Sequence, residues 1–84
     1  MTAAPMPDML RDLGPALNPR KPPPKGRELI HSAAGIHRRV TWAGLPLTVS
    51  YRRGRAIWQG SVVDARGHLL TLPAEELFYV GGAA

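Results

Sequence analysis

The chain has 84 residues, a formal charge of +5 and no cysteine. That length bounds it to one domain, and the missing thiols exclude disulfides and thiolate metal sites. No apolar run approaches the roughly 20 residues that a membrane-crossing helix needs. The first ten residues lack the cationic start and apolar middle of a secretion signal. The sequence therefore predicts a protein of the cytoplasm, or of a particle assembled there.

Seven of the nine prolines lie in the first 24 residues, while most strand-forming residues lie between Val40 and Val80. This division predicts a basic, Pro-rich extended arm over residues 1–36, a small β-barrel domain over residues 37–80, and a loose tail over residues 81–84. About 45 residues are then left to form a core, and a core that small is marginal without oligomerisation or a larger partner. The isolated chain is expected to be weakly folded or to self-associate.

In chain order, Asp8 is a candidate cap for a short helix ending at Leu13, before Gly14 and Pro15. Met6, Met9, Leu10, Leu13 and Leu17 follow the spacing of one helical face. So short a helix is unstable in water by itself, which makes Met9, Leu10 and Leu13 candidates for seating in a partner's groove. The consecutive prolines within Pro19–Lys25 predict that residues 15–26 form a stiff polyproline II spacer. Arg20, Lys21, Lys25 and Arg27 project from it toward a neighbouring surface, with Arg20, Lys21 and Lys25 the candidate contacts. Residues 27–34 read as one or two helical turns closed by Gly35. His31 and His37 lack a third ligand at useful spacing and read as ordinary polar residues.

Val40, Thr41 and Trp42 begin the β-domain. Trp42 sits beside the Ala43-Gly44 turn and is a candidate exposed anchor, because tryptophan is enriched where interfaces concentrate their energy. From Leu45 to Tyr51 the residues alternate, with Leu45, Leu47, Val49 and Tyr51 on one expected buried face. Arg53-Gly54 is a hairpin turn. The return strand over 55–64 places Ala56, Trp58, Gly60 and Val62 inward, with Gly60 marking a bulge or bend. A second turn at 65–67, a strand over 68–72, a tight turn over 74–77 and a last strand over 78–80 complete the pattern.

About five short strands, with a glycine-bent hairpin and a one-turn helix before the last, resemble a small SH3-like barrel. The resemblance rests on Ile57-Trp58-Gln59-Gly60-Ser61-Val62-Val63 and on the eight residues from Leu70 to Leu77. The plasmid-borne SH3-like dihydrofolate reductases are similar in their Trp-Gln-Gly step. Where that family has Val-Gln-Ile-Tyr, this chain has Leu69-Leu70-Thr71-Leu72, so no catalytic residue carries over.

No motif for acid–base, nucleophilic, metal or phosphate-cradle chemistry stands out. Catalytic, metal and cofactor residues are expected to be none, and no small-molecule substrate is implied. The one chemically distinctive group is cationic. Arg52, Arg53 and Arg55 crowd a hairpin tip above Tyr51 and Trp58, and Arg38 and Arg39 precede the first strand of the β-domain. If the barrel closes, these form one polyanion-binding patch. The leading expectation is a non-enzymatic assembly or adaptor protein. Its barrel docks on a larger complex or homo-oligomer, such as a minor virion component, and its arm clamps that complex. The alternative is a basic nucleic-acid-binding regulator, and an oligomeric SH3-like enzyme is the remote third.

Overall fold

The structure is a computed structural model and describes residues 13–81. Its strands are β1 (Leu13–Ala16), β2 (Glu28–Ala33), β3 (Ile36–Trp42), β4 (Thr48–Arg52), β5 (Arg55–Val63), β6 (Leu69–Pro73) and β7 (Leu77–Val80). A 3₁₀ turn, Ala74–Glu76, precedes β7. Every pairing is antiparallel. The order β1-β7-β2-β3-β5-β4, with β6 on the other side of β5, curls the sheet into a half-barrel.

Residues 27–34 are not helical turns. They form β2, in register with β3 from Glu28↔Thr41 to Ala33↔Ile36. Gly35 is no helix cap but half of a two-residue hairpin turn. Ala34 and Gly35 have φ of 53° and 77°, the pair of positive values that matches the twist of a hairpin. β2 also pairs with β7. A strand held on both sides satisfies its backbone groups, which a helix of six or seven residues does not. The expected helix ending at Leu13 lies outside the described residues except for Leu13 itself, which begins β1 opposite Val80. Met9 and Leu10 also lie outside the described residues.

The core gathers Leu17, Leu29, Val40, Trp42, Val62 and Leu77. Leu17, from the Pro-rich stretch, docks through a backbone bond from its N–H to the Leu77 carbonyl at 2.8 Å. The sheet thus draws two strands and core side chains from residues 13–36. It buries more than residues 37–80 alone would offer.

Trp42 is the largest of the fully buried side chains and only 2% exposed, so it is a core residue and not an interface anchor. The reason is Gly60. A Cβ built there would stand 2.5 Å and 2.7 Å from two carbons of the Trp42 ring. Gly60 pairs regularly with Leu72. It therefore marks the seat of the indole rather than a bulge.

His31 is buried on β2, and its Nε2 lies 2.9 Å from Glu76 Oε1. This contact ties the central strand to the 3₁₀ turn.

Candidate functional site

The β4–β5 hairpin leaves the core. β5 has nine residues, but β6 accompanies it only from Gln59 to Val63. β6 stops at Pro73, which has no N–H to continue a ladder, and the chain turns away into the 3₁₀ turn. Residues 55–58 therefore pair only with β4, and every residue of β4 is exposed.

One face of this overhang is apolar. Cross-strand partners share a face, so Val49 stands with Trp58 and Tyr51 with Ala56. Val49 is 41% exposed, Tyr51 72% and Trp58 44%. Of the alternating run 45–51 only the part from Thr48 onward is strand, and the face expected to be buried meets solvent, except for half-buried Leu47. Period two reports that a strand has two faces. It does not report whether a second layer covers one of them.

Arg52 and Arg55 are direct cross-strand partners at the tip, with Arg53 in the turn between. Like charges placed opposite one another repel. Arg53 also holds φ 53°, a left-handed conformation that costs about 1–2 kcal/mol outside glycine.

Arg38 and Arg39 do not join this tip. β3 meets β5 at Trp42↔Val62 and Thr41↔Val63, so the two arginines lie beyond that end of β5, toward the 64–68 turn. Val63 and Arg55 are eight residue steps apart along the strand, about 26 Å at 3.3 Å per step. Arg38 and Arg39 instead border a cleft with His37, Asp64, Arg66 and His68. Arg39 pairs with Glu28 at 3.1 Å. Asp64 Oδ1 accepts the His68 and Arg66 backbone N–H groups at 2.8 Å and 2.9 Å. These bonds, the His68 one first, hold the Asp64 carboxyl below the usual carboxylate range.

The Pro-rich stretch folds onto its own sheet. Pro23 is buried, and Pro22 and Pro24 border a groove with Tyr79 and Val80. The Arg27 guanidinium lies 5.1 Å above the Tyr79 ring. Arg20, Lys21 and Lys25 are exposed. Arg20 sits in a turn whose backbone N–H is accepted by Asn18 Oδ1 at 3.0 Å.

Among the described residues, no group of three or more His, Asp or Glu could hold a metal ion. No helix there is long and apolar enough to cross a membrane. Nothing in a scan of family models, among curated proteins or among solved structures matches the chain.

Proposed function

We propose that the protein is a small non-enzymatic docking component of a larger protein assembly, and that the β4–β5 hairpin is its point of contact. The observation that carries this reading is the exposed Val49, Tyr51 and Trp58 face beneath three arginines. Tyrosine, tryptophan and arginine are the residues in which protein interfaces concentrate binding energy. Tyrosine and tryptophan offer large contact area with only two side-chain torsions to fix on binding. In this proposal the half-barrel is an SH3-like platform. Leu17 and Pro23 serve the fold, while exposed Arg20, Lys21 and Lys25 keep the clamping role read for the arm.

Paired substitution Tyr51→Ser and Trp58→Ser tests the reading. Each ring is exposed enough for the sheet to survive. Loss of one interface hot spot of 2 kcal/mol weakens binding about 30-fold. A protein partner retained undiminished by the double variant contradicts the proposal.

A second reading has its own support. Exposed rings beside Arg52, Arg53 and Arg55 are the parts of a platform for single-stranded nucleic acid. It requires binding that falls steeply with salt and a shallower salt slope when the three arginines become alanine.

A further inference from the structure

The ladder of β5 leaves backbone groups open at the base of the hairpin. A two-residue turn makes Arg52↔Arg55 a hydrogen-bonded pair, so Tyr51↔Ala56 and Val49↔Trp58 are non-bonded pairs. Ala56 and Trp58 thus aim their N–H and C=O groups away from β4. An independent bond fixes the same parity. The Ser61 carbonyl accepts the Ala43 N–H at 3.0 Å, so odd positions of β5 face the β3 and β4 side. Even positions face β6. Gly60 and Val62 find partners there in Leu72 and Leu70. Since Pro73 cannot donate, the Gln59↔Pro73 pairing uses the Ala74 N–H on the Trp58 carbonyl. The Trp58 N–H and both Ala56 backbone groups lie beyond the end of that ladder.

This edge borders a groove of about 310 Å³, lined by Leu17, Pro19 and Ala74 on one side and by Ala56 and Trp58 on the other. Its two ends differ in charge. Arg55 stands at the tip end, where it faces Arg52, and Glu75 stands at the base.

We propose that this edge of β5 receives an extended segment of a protein partner as an additional antiparallel strand, in line with β6, with a carboxylate at the Arg52 and Arg55 end and a cationic or neutral residue at Glu75. Open N–H and C=O groups template strand addition. An acidic side chain at the tip offsets the repulsion between the two facing arginines. A tip-to-tip second copy would add arginines to that repulsion. The antiparallel direction follows the rest of the sheet. The inference rests on the docking reading above and specifies how the partner is held.

The test uses the full chain, ¹⁵N-labelled, with two terminally blocked hexapeptides, Lys-Val-Thr-Val-Thr-Asp and its charge-swapped form Asp-Val-Thr-Val-Thr-Lys. The first is expected to slow exchange of the Ala56 and Trp58 amides at least tenfold and to bind at least fivefold more tightly than the second. N-methylation of its two valines, or separately of its two threonines, leaves the protein untouched, and one of the two patterns is expected to abolish binding. Ala56→Pro is expected to abolish it as well while keeping the β4 cross-peaks, because the Ala56 N–H does not serve β4. Several results overturn the inference: no protection at either amide, equal or tighter binding of the swapped peptide, or indifference to both methylation patterns. A protein partner lost with Tyr51→Ser and Trp58→Ser but kept by a folded Ala56→Pro variant overturns strand addition alone and leaves the docking reading standing.

Discussion

Gly60→Ala is the sharpest perturbation of the fold that presents the hairpin. The added methyl would stand 2.5 Å and 2.7 Å from Trp42 ring carbons, where carbon pairs settle at about 3.5–4.0 Å. An overlap near 1 Å must be relieved by moving the indole or β5. The indole is 2% exposed and enclosed by the core, and Val62, two residues on, is fully buried. Overpacking of this kind costs about 1–3 kcal/mol, partly offset by about 0.5–1 kcal/mol from replacing a strand glycine. A net loss of about 1–2 kcal/mol is expected. The assay is urea unfolding followed by far-UV circular dichroism for Gly60→Ala, Trp42→Phe and the double variant. Phenylalanine removes the ring atoms that collide, so the double variant is expected to be more stable than the sum of the single losses allows. Additive losses, or a neutral Gly60→Ala, would refute the ring-seat account of this glycine.

Other outcomes follow from the same geometry. Arg53→Gly releases left-handed strain and is expected to raise stability by up to about 1 kcal/mol, read from the urea midpoint, while weakening partner binding through the lost charge. Tyr51→Ser with Trp58→Ser is expected to cost about 1 kcal/mol from lost cross-strand contacts, against about 30-fold in docking. Asp64 has a lowered pKa when folded. Its stabilising contribution is therefore complete above the unfolded value of about 3.9 and is lost as pH falls through the folded value. Asp64→Asn keeps an acceptor for the two N–H groups and is expected to flatten the acid limb of a pH–stability curve below about pH 4. An unchanged acid limb would assign that limb to other carboxylates. His31→Ala removes the bond to Glu76 and is expected to cost about 1 kcal/mol, measured by thermal unfolding.

The turns were the most legible part of the sequence, because their chemistry is local. Arg53-Gly54 and the 65–67 turn lie where glycine and hairpin spacing place them, and β5, β6 and the short turn before β7 follow. β2 was not legible. Leu29-Ile30-His31 is too short for periodicity to separate strand from helix, and Gly35 serves a helix cap and a hairpin turn equally well. Long-range pairing with β7 decides the matter, and no local signal carries it. The prolines misled in a similar way. They point to one extended spacer over 15–26, but β1 takes Pro15 and Ala16, the chain turns where the Lys21 N–H meets the Asn18 carbonyl, and Leu17 and Pro23 dock on the protein's own sheet, which only the tertiary contacts reveal.

The candidate site inverted two aromatic roles for one physical reason. Alternation puts Trp42 and Trp58 each on a definite face, but burial depends on what lies opposite. Trp42 finds the bare backbone of Gly60, and Trp58 finds the end of β6 at Pro73. The glycine was the available clue to the first and the proline to the second. The arginines at the hairpin tip were legible as a group. Their separation from Arg38 and Arg39 was not, because it depends on which end of β5 meets β3.

The claim that the β4–β5 hairpin docks on a protein partner is tested most directly by parallel tagged capture from the native source, using the unaltered chain and the Tyr51→Ser, Trp58→Ser variant. Each sample is split into nuclease-treated and untreated halves. The account predicts a stoichiometric protein that survives nuclease with the unaltered chain and is lost with the variant. A partner held equally by both chains, or one released by nuclease, contradicts it.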